Sequence, residues 1–107
     1  MIKLLCLDLG GIVVDVRWER SLKDLELKLK LEEARTQVGQ WDVFLDFERG
    51  SVSPEQFHRH FQKKFDSVLD MAKFTMGWNA CLAGPLPGVE ALLARLPASL
   101  PLYALSN

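Results

Sequence analysis

Two cysteines, one tyrosine and no long apolar run mark out what this 107-residue sequence excludes. Cys6 and Cys81 lie far apart and form no paired motif. A disulfide scaffold and a thiolate metal site are therefore both disfavoured, and a reducing, cytoplasmic setting is expected. No stretch reaches the roughly 18 apolar residues of a membrane-spanning helix. The amino-terminal apolar segment follows a single Lys3, is interrupted at Asp8 and lacks a small-residue cleavage site, so it does not read as a secretion signal. Charge of one sign is also missing. Thirteen basic against fourteen acidic residues leave a formal net charge of -1, and no whole-chain field favours nucleic acid or an anionic membrane surface. Internal repeats and low-complexity tracts are absent, while 49% hydrophobic and 25% charged residues is an ordinary globular composition that argues against disorder.

What is present is concentrated at the two ends. Residues 2–8 form a near-continuous apolar run that delivers Asp8 onto Gly10 and Gly11, which reads as a strand covered on both faces with a carboxylate at its tip. The glycine pair permits a tight turn and close approach of backbone amides to an anion. Pro101 to Leu105 reads as a second buried strand, and it delivers Ser106 and Asn107 in the same way. Polar groups at the carboxyl ends of neighbouring parallel strands are where open α/β sheets hold their ligands. An Asp capping a turn and a terminal Ser are also common for purely structural reasons, and the force of the pattern lies in their combination.

Between the ends the sequence favours helices. Trp18, Leu22 and Leu25 share a face at helical spacing. Leu25, Leu27, Leu29 and Leu31 alternate with polar residues as a half-buried strand would, yet the residues are good helix formers, so two helices with a break near residues 28–31 are expected. A helix over 32–49 should end at Gly50, a residue suited to the left-handed position after a helix. Ser53-Pro54-Glu55-Gln56 is the sharpest local signal, combining an N-cap Ser, Pro in the first turn and Gln at N3. Phe57, Phe61 and Phe65 then form an apolar stripe of core type. His58 and His60 point to different sides of that helix, unlike a chelating pair at i and i+4. Ser67 is expected to cap a further helix through Phe74 to Trp78. Gly84-Pro85-Leu86-Pro87-Gly88 breaks the chain, and Val89, Leu92, Leu93 and Leu96 face one side of a short helix ended by Pro97. Trp18 and Trp78 are candidates to face a substrate, although burial is the commoner fate of such rings.

Asp8, Leu9, Gly10, Gly11 and Asp15 together resemble the first motif of the haloacid dehalogenase-like (HAD) superfamily, with Gly10 standing where that motif has its second Asp. Leu105-Ser106-Asn107 is similar to the second motif. The resemblance implies an α/β fold: a Rossmann-like core, present here as residues 1–15 and 84–107 with two parallel strands, and a helical cap inserted at 16–83. It further implies a magnesium-dependent phosphatase working through an aspartyl-phosphate on a small phosphorylated metabolite. In that scheme Asp8 is the nucleophile, Asp8 and the Gly10 carbonyl hold Mg2+, and Gly11, Ser106 and Asn107 bind phosphate. Asp15 is read as a brace for the loop.

Two departures shape the expectation. Gly10 replaces the general acid, a change found in branches that act on sugar 1-phosphates, and it points to good leaving groups such as anomeric or acyl phosphates. The superfamily's later Lys and acidic motifs are not among these residues, so the chain by itself is expected to lack turnover. A two-stranded core of this size leaves an unpaired apolar edge, a template for self-association. A metal-independent dehalogenase, in which Asp8 attacks carbon, and a non-catalytic interaction module are the alternatives.

Overall fold

The computed structural model describes residues 1–106, which form two sheets and six helices. Contacts divide the chain into one unit of residues 1–17 and 82–107 and a second of residues 18–81. The first holds all the strands: β1 (Leu5–Asp8), β2 (Val14–Val16), β3 (Leu82–Pro85) and β4 (Leu102–Leu105), together with α6 (Val89–Ala94). The second is helical: α1 (Trp18–Asp24), α2 (Leu31–Gln37), α3 (Asp42–Glu48), α4 (Pro54–Phe65) and α5 (Met71–Asn79).

In the strand unit β1 pairs with β4 in parallel, with Leu5 opposite Leu102 and Asp8 opposite Leu105. The antiparallel pairing of β2 with β3, in which Val16 lies opposite Leu82, was not foreseen from the sequence. Both strands are short, and the Gly84-Pro85 signal at the end of β3 reads as a break rather than as a strand.

Burial departs from the expectation of strands covered on both faces. In β1, half-buried Leu5 and Leu7 alternate with exposed Cys6 and Asp8, and every residue of β4 is exposed. Leu102, Tyr103 and Leu105 are 48%, 59% and 69% exposed. The physical reason is the size of the sheet: two strands with one short helix supply too little apolar surface to close over either face. No described residue of this unit is fully buried.

The buried core lies in the helical unit. Leu25, Phe57, Phe61, Leu69 and Phe74 form one cluster, flanked by half-buried Trp41, Phe44, Phe47 and Trp78. Phe57 and Phe61 are 0% exposed. The Phe57 ring stacks on Phe47 at 4.4 Å with an interplanar angle of 5°, and Trp78 meets it edge-on at 4.9 Å. Burying one such ring contributes about 1.5–3 kcal/mol, and each well-oriented aromatic pair adds roughly 0.5–1.5 kcal/mol. Buried Ser21 ties α1 to the end of the unit: its hydroxyl donates to the Trp78 carbonyl (2.9 Å) and accepts from the Cys81 amide (3.0 Å). His58 Nε2 bonds the Leu69 carbonyl at 2.8 Å, so this imidazole is held as a core residue.

Local signals explain several helix ends. The Ser53 hydroxyl accepts from the Gln56 amide (3.1 Å), and the Gln56 side chain accepts from the Ser53 amide (2.9 Å). After α3, Gly50 adopts φ +81° and donates to the Phe47 carbonyl (3.0 Å), while Ser51 donates to the Asp46 carbonyl (2.9 Å). Those two bonds satisfy carbonyls that the helix end would leave open. The expected helix over 32–49 is in fact two, α2 and α3, joined through Gly39. A Cβ at residue 39 would lie 2.6 Å from the Arg35 carbonyl oxygen, so the turn between them requires glycine. The cap of α5 is Asp70, whose carboxylate accepts from the Lys73 amide (2.8 Å), rather than Ser67, which instead accepts from Leu69. The leucine alternation at 25–31 forms no strand; it is a turn and an extended link into α2.

Phe57→Ala is expected to lower the unfolding free energy by about 3–5 kcal/mol, against about 1 kcal/mol for Ser53→Ala. Urea denaturation followed by tryptophan fluorescence measures both. Equal losses would show that the aromatic cluster is not the principal core.

Candidate active site

Asp8 is the last residue of β1 and is exposed. Its register partner, Leu105, is the last residue of β4. Paired strands lie about 4.8 Å apart, so the step beyond Leu105 puts Ser106 beside the Asp8 end of the neighbouring strand. Parallel strands run in one direction, and both carboxyl ends therefore share one rim of the sheet. Asn107, the other candidate on this rim, lies outside the described residues.

The loop after Asp8 is closed by backbone bonds. The Leu9 carbonyl accepts from the amides of Ile12 (3.3 Å), Val13 (3.0 Å) and Val14 (2.9 Å). Gly11 has φ +77°, a conformation that disfavours any residue with a Cβ, and its amide donates to the Val14 carbonyl at 2.9 Å. Gly11 thus serves the site by letting the chain turn, and its amide is already bonded within the loop. Gly10 is different. Its φ is not positive, and a Cβ there would meet nothing nearer than the Val16 side chain at 3.9 Å, an ordinary contact.

Asp15, on β2, forms an ion pair with Arg17, whose Nε donates to the carboxylate at 2.8 Å. The Arg17 side chain is 55% exposed and that of Asp15 24%, so the pair contributes at most about 1 kcal/mol. Its effect is to orient the strand after the loop. Sequence reading assigned Asp15 a bracing role without finding its partner; opposite charges two residues apart were the available signal. The Leu86 amide donates to the Val13 carbonyl (2.9 Å), which ties the same loop to the chain after β3.

For a metal, the donor chemistry is partial. Asp8 offers hard carboxylate oxygens at an open rim, but no group of three His, Cys, Asp or Glu side chains converges among the described residues. A magnesium ion held by one carboxylate and a backbone carbonyl, with water and phosphate completing its six oxygens, is compatible with them. Both cysteines are free thiols, Cys6 exposed and Cys81 buried. Trp18 and Trp78 pack edge-on at 6.1 Å within the helical unit. Among the described residues no helix is long and apolar enough to cross a membrane.

No protein-family model matches the sequence. Solved structures do match the fold. A HAD family enzyme of Bacteroides thetaiotaomicron aligns with a TM-score of 0.80 and 24% identity, over 99% of this chain and 53% of its own. The structure of that enzyme with magnesium and inorganic phosphate gives a TM-score of 0.81 and 24% identity, over 100% and 54%. A predicted HAD-like family hydrolase of Porphyromonas gingivalis gives 0.78 and 21%, over 100% and 52%. The chain spans about half the length of these structures. It has the mixed α/β, Rossmann-type fold of HAD family enzymes over its described length.

Replacing Gly11 by Ala is expected to cost about 1–2 kcal/mol and to speed amide exchange at Val13 and Val14 roughly tenfold or more. Gly10→Ala should leave both rates within about twofold, because its backbone is unstrained and the added methyl has room. Hydrogen exchange read by NMR compares the two; equal acceleration would refute the assignment of the turn to Gly11.

Proposed function

We propose that this chain is the amino-terminal portion of a HAD-like phosphatase, with residues 16–83 as its helical cap, acting on a small phosphorylated metabolite through an aspartyl-phosphate at Asp8. The observation that carries this reading is the register that sets Asp8 and Leu105 at adjacent strand ends, with Ser106 next in line. A carboxylate is a competent covalent nucleophile, and a hydroxyl beside it is suited to hydrogen-bond a phosphoryl oxygen. The matched structure that contains magnesium and inorganic phosphate supports the same chemistry.

In the proposed reaction an Asp8 oxygen attacks phosphorus in line, and the bond from phosphorus to the leaving oxygen breaks. The departing oxygen keeps the electron pair and takes its proton from water, because Gly10 has no side chain to donate one. Water then cleaves the acyl phosphate and restores the carboxylate. Asp8 and the Gly10 carbonyl are the groups that would hold Mg2+, which when bound spreads the charge of the transferring phosphoryl group. Placed acids contribute about 10²–10⁴ in rate, so a site with glycine at position 10 favours leaving groups that need no protonation. Acyl and anomeric phosphates meet that condition better than primary alkyl esters.

The chain's own residues supply one carboxylate to this site, so stoichiometric labelling is a sharper test than turnover. With magnesium and acetyl phosphate, mass spectrometry is expected to find a phosphoryl adduct on Asp8, slower with a primary alkyl phosphate and absent in Asp8→Asn. An adduct formed instead with a 2-haloacid and without metal would establish the dehalogenase reading. A chain that forms neither adduct, or labels equally in Asp8→Asn, would leave the non-catalytic interaction module as the better description.

A further inference from the structure

The helical unit holds a half-open cavity of about 160 Å³. It lies between α1, α2 and α3, with the Trp78 ring of α5 closing one side. Leu22, Leu25, Ala34, Val38 and Phe44 form much of its wall. The volume is close to the roughly 150 Å³ of a cavity that admits a benzene-sized guest.

Polar groups on the wall are few, and their partners narrow the chemistry of a guest. The Ser21 hydroxyl already donates to the Trp78 carbonyl and accepts from the Cys81 amide, and Ser21 is 1% exposed. It has no proton left for a ligand. Arg35 is the charged residue of the lining, and it is exposed. Among the described residues it takes part in no ion pair or side-chain hydrogen bond. Trp18, also on the lining, is 41% exposed.

The geometry points to a binding site for a small amphiphilic carboxylate: an aromatic or branched aliphatic body in the cavity and an anionic head on the Arg35 guanidinium. An apolar body loses nothing to unpaired wall groups, and a guanidinium pairs a carboxylate through two parallel donors. The site belongs to the helical unit alone, so it stands whether or not Asp8 handles phosphate.

Trp18 and Trp78 line the cavity and Trp41 does not, which gives the test an internal control. Phenylacetate titrated into the full ¹⁵N-labelled chain is expected to shift the indole N–H resonances of Trp18 and Trp78 saturably while Trp41 stays in place. Arg35→Met should weaken phenylacetate at least about tenfold, the scale of a lost charge-assisted bond, yet leave toluene binding within about twofold. Arg35 is exposed, so this variant is expected to fold. The inference is overturned if neither probe produces a saturable shift, if Trp41 shifts as much as the other two, or if Arg35→Met treats phenylacetate and toluene alike.

Discussion

Parallel hydrogen bonding between Leu5–Asp8 and Leu102–Leu105 is the constraint on which the candidate site rests. Neither strand end is distinctive alone. An Asp before two glycines is an ordinary turn, and a Ser after an apolar segment is commoner still. Pairing in this register makes them neighbours, and parallel direction puts both carboxyl ends at one rim. A register one residue off would turn each side chain of one strand to the opposite face.

Stability and chemistry are divided between the two units. Phe57, Phe61 and Phe74 anchor a dense aromatic core in the helical unit, where Ser21 and His58 satisfy their polar atoms on backbone groups. The strand unit carries Asp8 and Ser106 on a sheet with no fully buried residue. Tyr103 and Leu105 stand largely in solvent on the strand that positions Ser106. Two strands are too few to bury their own side chains, and the chain covers about half the length of the structures whose fold it shares.

Sequence reading reached furthest where the deciding force was local. The Ser53–Gln56 box, the left-handed Gly50 and the Phe57–Phe61 stripe are fixed within a turn or two of chain, and each is visible in residue order. The strand ending at Asp8 and its parallel partner were legible for the same reason, since apolar runs ending in polar residues mark themselves. Tertiary effects were not legible. The turn at Gly39 leaves no room for a Cβ against the Arg35 carbonyl, and Asp70 took the capping role expected of Ser67, whose hydroxyl accepts from the Leu69 amide instead. The exposure of β1 and β4 depends on what packs over a sheet, which an apolar run does not specify. Within the site, the alignment of the Asp8 and Leu105 strand ends followed from strand logic, while the bonding of the Gly11 amide to Val14 needed coordinates.

The helical unit and the strand unit therefore pose separate chemical questions, one about an apolar cavity guarded by Arg35 and one about a carboxylate at a sheet rim. The second is decided by register. Cross-strand nuclear Overhauser effects between β1 and β4, measured on the labelled chain in solution, are the most direct observation. Backbone contacts joining Leu7 to Ala104 and Asp8 to Leu105 are the predicted result. An antiparallel pattern, or a parallel register displaced so that Asp8 faces a residue before Leu105, would move Ser106 away from Asp8 and contradict the account.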